Sequence, residues 1–142
     1  MPSYAAEREL LASREDVWAF LAEPMRLADW WPGLRGVHPD RRGLAPGARW
    51  RIESRGRSNA LVGPKLSVEA TIVFLDVEPP KHLTWQFVHD RYDVDLTLTE
   101  TAPDRTRARL VVSAPYLAGL RRSLPRRALT RLHALCQTGA RA

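Results

Sequence analysis

The cleanest periodic signal in the chain runs from residue 92 to 99. There Tyr92, Val94, Leu96 and Leu98 alternate with Asp93, Asp95, Thr97 and Thr99. Strict alternation marks a strand with one buried and one solvated face. Period two begins near residue 35 and becomes firm after the turn Ala45-Pro46-Gly47. From there Ala48, Trp50, Ile52 and Ser54 alternate with Arg49, Arg51, Glu53 and Arg55. It returns at Thr106, Ala108, Leu110 and Val112, set against Arg107, Arg109 and Val111. Between these lie a β-branched run from Ser67 to Val77, stopped by Glu78-Pro79-Pro80, and a strand with Leu83, Trp85, Phe87 and His89 on one face. Residues 4–12 form a weaker first strand, residues 56–66 a loop, and Ala102-Pro103-Asp104 a turn. Strands that follow one another through short turns predict an antiparallel meander and exclude a βαβ fold.

Helical spacing appears at the two ends of this run. Ser13-Arg14-Glu15-Asp16 places an acid three residues after a serine, a capping-box start. Val17, Trp18, Phe20 and Leu21 then supply an apolar face. Pro24 ends that helix and opens a second short one through Met25 to Trp31, closed by Pro32-Gly33. The tail repeats Leu117, Leu120, Leu124, Ala128, Leu132 and Leu135 at intervals of three or four, with arginines between them. Pro125 is expected to kink or divide this long C-terminal helix.

Composition narrows the class of protein. The chain of 142 residues fits a single domain spanning 1–142. Its 44% hydrophobic content is too high for a disordered chain. The one cysteine, Cys136, lies in an apolar segment and reads as a small buried hydrophobe in a reducing compartment. The polar N-terminus gives no signal peptide, and no apolar stretch approaches the roughly 20 residues that span a bilayer. A soluble, cytoplasmic protein is expected.

The net charge of +6 brings nucleic acid into question. Of 22 basic residues only Lys65 and Lys81 are lysines. The arginines are spread along the chain, with pairs at Arg41-Arg42, Arg121-Arg122 and Arg126-Arg127. Phosphate recognition calls for a basic stripe on one face, so nucleic acid is not the expected partner. The histidines, His38, His82, His89 and His133, show no metal-ligand spacing. No phosphate-binding glycine loop and no Gly-x-Ser-x-Gly elbow is present. The expectation is no cofactor and no metal.

Several motifs carry a resemblance. "ASREDVWAFLAEPMRLADWWPGL" is similar to the opening of polyketide cyclase/dehydrase-like members of the START-like, Bet v 1-like (SRPBCC) superfamily. "GLAPGARWRI", "VEPPKHLTWQF" and "TRARLVV" resemble three of its later strand entries. The likeness covers essentially the whole chain. It implies an α+β helix-grip fold: a curved antiparallel sheet wrapped around a long C-terminal helix, with two short helices after the first strand. Each motif also has a plain structural role. Trp30 and Trp31 fill the corner where the short helices meet the sheet, and Gly47 permits a tight entry to the strand of Trp50.

A bent sheet gripping one helix leaves a gap unless large side chains fill it, and ligand sites are concave and mostly apolar. The lining expected from the strand faces and the terminal helix is Trp50, Ile52, Val68, Ile72, Trp85, Phe87, His89, Tyr92, Val94, Leu96, Leu110, Leu117 and Leu120. These side chains serve equally well as plain core. Arg51, Arg55, Glu69 and Asp95 fall on outward faces, unless a β-bulge reverses them. Three functions stay open: binding of a small hydrophobic molecule such as a lipid, quinone or polyketide; cyclisation or dehydration of such a molecule by general acid–base chemistry; and an arginine-surfaced module for protein or nucleic acid. A homodimer is also left open.

Overall fold

The computed structural model describes residues 3–55, 67–88, 91–114 and 122–140, with backbone alone at 54–55, 67–69 and 137–140. Strand β1 (Ser3–Leu10) leads into helix α1 (Arg14–Leu21), a 3-10 turn (Pro24–Arg26) and helix α2 (Leu27–Trp30). Strands β2 (Leu34–His38), β3 (Arg49–Arg55), β4 (Ser67–Glu78), β5 (His82–Phe87), β6 (Tyr92–Ala102) and β7 (Arg105–Ser113) follow. Helix α3 (Leu124–Ala140) closes the described chain.

All seven strands form one antiparallel sheet in the order β1-β7-β6-β5-β4-β3-β2. From β2 to β7 each strand pairs with its neighbour in sequence, as the short turns require. Strand β1 pairs instead with β7, from Ser3 opposite Ser113 to Leu10 opposite Thr106. Helices α1 and α2 carry the chain from that edge to the other. Ser13 caps α1 as expected, its Oγ accepting from the Asp16 amide at 3.1 Å.

The register turns the alternation into cross-strand rows. Trp50 faces Ile72, Ile72 faces Phe87, and Phe87 faces Tyr92. In the next row Phe74, Trp85, Val94, Val112 and Tyr4 are successive partners. In a third, Val77, Leu83, Leu96, Leu110 and Ala6 are partners. Apart from Tyr4, Ala6 and Val77, which are partly exposed, the named members of these rows are buried. Apart from the aromatic residues and Cys136, the buried side chain with a polar group among the described residues is Thr106, whose Oγ1 donates to the Ala12 carbonyl at 2.8 Å.

One bulge does shift faces. In β4 the pairing steps from Phe74–Trp85 directly to Asp76–Thr84, leaving Leu75 as the extra residue. Plain alternation with Ile72 and Phe74 would turn Asp76 inward. The bulge keeps it exposed and turns Val77 toward the core. Asp95 does lie outward: its Oδ2 is 2.8 Å from His82 Nε2 on the outer face. Arg51 is exposed as well.

Helix α3 packs against β1, β7 and α2, burying Ala128, Leu129, Leu132 and Cys136. Burial pushes the Cys136 thiol up to about 11, which suits a packing role. The kink or division expected at Pro125 turns on residues 115–121, which lie outside the described residues. The described helix begins at Leu124, so Pro125 stands in its first turn, where a missing amide hydrogen costs nothing. Leu117, Leu120 and the expected loop at 56–66 lie outside the described residues.

Candidate ligand site under the short helices

The segment before β3 sets the first wall of the site. Asp40 accepts from the amides of Arg42 (2.9 Å) and Arg49 (2.8 Å), folding residues 40–49 into a tight loop. The Arg49 amide above all holds the Asp40 carboxyl below its ordinary value. Gly43 and Gly47 take positive φ values of 63° and 82°, which glycine adopts without strain. The loop thereby brings the Gly43 carbonyl to the indole of Trp50, whose Nε1 donates to it at 2.9 Å.

From Trp50 an aromatic series runs across the inner face. Trp50 meets Phe74 with ring centroids 4.5 Å apart, and Phe74 lies 6.2 Å from Trp85. Trp85 meets Trp30 and Trp31 edge-on at 6.2 and 5.6 Å. Trp31 then stacks on Phe87 at 5.4 Å, and Phe87 on Tyr92 at 4.4 Å. Four of the five tryptophans thus belong to one cluster. Each such pair contributes about 0.5–1.5 kcal/mol beyond its buried area. Trp30 and Trp31 fill the corner between short helices and sheet, as their place in the sequence suggests.

At this corner lies a cleft lined by Leu21 of α1, Leu27 and Trp30 of α2, Trp50, Phe74, Leu83 and Trp85. The space open to the centre of a water-sized sphere is about 10 Å³, roughly what one water needs. No described residue of α3 lines it. The Nε1 of Trp85, only 1% exposed, has no hydrogen-bond partner among the described residues.

Of the lining expected from sequence, Trp50 and Trp85 border this cleft. Ile52, Ile72, Phe87, Tyr92, Val94, Leu96 and Leu110 are buried on the same inner face but outside it. The backbone of Val68 pairs with Ser54, its side chain lying outside the described set with His89, Leu117 and Leu120. Phe74 and Leu83 stand at positions alternate to Ile72 and Trp85, so strand period could have pointed to them. Leu21, Leu27 and Trp30 come from helices, and no local pattern tells which strand they meet.

Among the described residues no set of three or more His, Cys, Asp or Glu side chains converges on a metal-sized point, and no helix is long and apolar enough to cross a membrane.

The architecture defines an α+β helix-grip protein of the SRPBCC type. The chain belongs to the polyketide cyclase / dehydrase and lipid transport family, whose model matches residues 1–137. Among solved structures it resembles a crystal structure of a Nitrosomonas europaea protein, with a TM-score of 0.72 at 19% identity over 99% of this chain and 97% of that one. A solution structure of an Arthrobacter aurescens protein matches with a TM-score of 0.71 at 18% identity, covering 96% and 86%. A protein of unknown function from Enterococcus faecalis matches with a TM-score of 0.67 at 23% identity, covering 94% and 70%. These likenesses establish the shared fold. No curated protein matches the sequence.

Proposed function

We propose that the protein binds a small, ring-containing hydrophobic molecule in the cleft between α1–α2 and strands β3–β5. The observation that carries this reading is the lining: seven apolar side chains, four of them aromatic, converge from two helices and three strands. Aromatic walls offer large rigid contact surfaces to a flat apolar ligand. As it stands the cleft admits about one water, so a ligand enters by moving part of the wall. The mobile part is the helical segment. Helix α2 has four residues and follows a single 3-10 turn, which gives it few internal hydrogen bonds to lose. The strands beneath are held in ladders on both sides.

Apart from Tyr92 and Thr106, the described buried inner face is apolar, and such a face serves binding and exclusion of water more directly than proton transfer. This places binding ahead of cyclase or dehydratase chemistry. A second reading rests on charge. Arg122, Arg126, Arg127 and Arg131 are exposed on and just before α3, and no acidic residue follows Asp104. That surface suits an anionic partner.

Native mass spectrometry of the freshly purified protein tests the first reading, with denaturation to identify any released molecule. A stoichiometric apolar passenger is expected. A bare mass that stays unchanged with lipids, quinones and aromatic polyketides would overturn it and favour the arginine surface.

A further inference from the structure

We propose that Trp85 is the polar anchor of the cleft, its indole N–H donating to a neutral carbonyl oxygen carried by an otherwise apolar ring compound. This rests on the binding function proposed above and adds to it the chemical class of the ligand. The starting observation is an unpaired donor. Trp85 is 1% exposed and its Nε1 meets no acceptor. Buried N–H groups are nearly always paired, because an unpaired one loses its hydration without replacement. Trp50, equally buried on the neighbouring wall, shows the ordinary solution: its Nε1 donates to a backbone carbonyl.

Three features make the unpaired donor a fixed one. Its strand, β5, lies at the centre of the sheet, with Phe74 on one side of Trp85 and Val94 on the other. Trp30, Trp31 and Phe74 pack around its ring at 5.6 to 6.2 Å. The ring also borders the cleft into which α1 and α2 both project. Strand β5 and Phe74 keep the donor in place while α2 moves aside for the ligand, so the indole itself needs little reorganisation when an acceptor arrives.

The surroundings then select the acceptor. Water is a poor candidate, since a buried water needs two to four polar partners and the lining is apolar. Indole N–H is a donor only, so the partner must supply a lone pair. A carboxylate or phosphate would be stripped of water with no cation in the lining, at high cost. A ketone, quinone or ester carbonyl on a hydrophobic ring meets every condition.

The test uses two probes of like shape, 1-tetralone with a carbonyl and tetralin without one, titrated into the full chain and its Trp85→Phe variant. The variant keeps an aromatic ring and removes the donor. The expected result is binding of both probes to the native protein, with tetralone weakened about fivefold to tenfold by the substitution, the value of one hydrogen bond. Tetralin should change less than about twofold on the same scale. Equal weakening of both, or of neither, would reduce Trp85 to packing and overturn the proposal while leaving the binding function intact. Failure of both probes to bind the native protein would sink the binding function itself, and this proposal with it. Should the variant not fold, the native protein still decides. The Trp85 indole proton resonance is expected to move downfield with tetralone and not with tetralin, and equal shifts would refute the anchor.

Discussion

Thr106 closes the join between sheet and helices. It is fully buried at the start of β7, and its hydroxyl donates to the carbonyl of Ala12 in the turn before α1. Thr106→Val keeps the shape and removes the donor, leaving a buried carbonyl without it. Urea unfolding should show a loss of about 1–3 kcal/mol, with Thr106→Ser recovering most of it. A valine variant as stable as the native protein would mean that Ala12 finds another donor. Residues of this kind are only half legible in sequence. Alternation places Thr106 on the inner face, yet its partner lies 94 positions away. Trp50 and Trp85 could be named as candidate lining, because size and period suffice for that. That one indole is paired and the other is not depends on a loop carbonyl at Gly43, which no pattern reveals.

Elements formed by local signals were readable, and those set by a partner were not. The cap at Ser13, the breaks at Pro24 and Pro79-Pro80, and the alternation of β3, β5, β6 and β7 all sit within a few residues of their cause. The bulge at Leu75 is a property of β4 against β5, visible only once Phe74 and Asp76 are seen facing Trp85 and Thr84. It makes a prediction opposite to that of plain alternation. Val77→Asp should cost about 1–3 kcal/mol by placing a carboxylate against the core, whereas Asp76→Val should stay within about 0.5 kcal/mol. Chemical denaturation of the two variants checks this, and the reverse ranking would show that β4 runs without its bulge in solution.

For the molecule as a whole, sheet order controls where stability resides. Strands β5, β6 and β7 have a strand on each side and their apolar faces buried, while β2 has one strand neighbour, β3. Amide exchange should therefore be slowest in β5, β6 and β7 and faster by orders of magnitude in β2. Protection of β2 equal to that of β6 would mean that a second copy or another partner covers that edge. The meander itself was evident from successive alternating runs. The pairing of β1 with β7 was not legible, since the weak alternation of residues 4–12 names no neighbour. The ligand stayed hidden for a physical reason: apolar side chains that fill a core and those that line a cleft are the same residue types.

The pairing of β1 with β7 also bears on how the protein is made. Its third residue finds its place beside residue 113, so the first strand of this domain must wait for its last. Until then Tyr4, Ala6 and Leu10 have no sheet to join. The nascent chain between them can build the meander from β2 onward, each strand meeting the one before it. Closure of the domain thus waits until β7 has been made, and long-range pairings of this kind form slowly. A chain halted before residue 105 lacks β7 and therefore carries its N-terminal strand unpaired, where a chaperone or a protease would find it first.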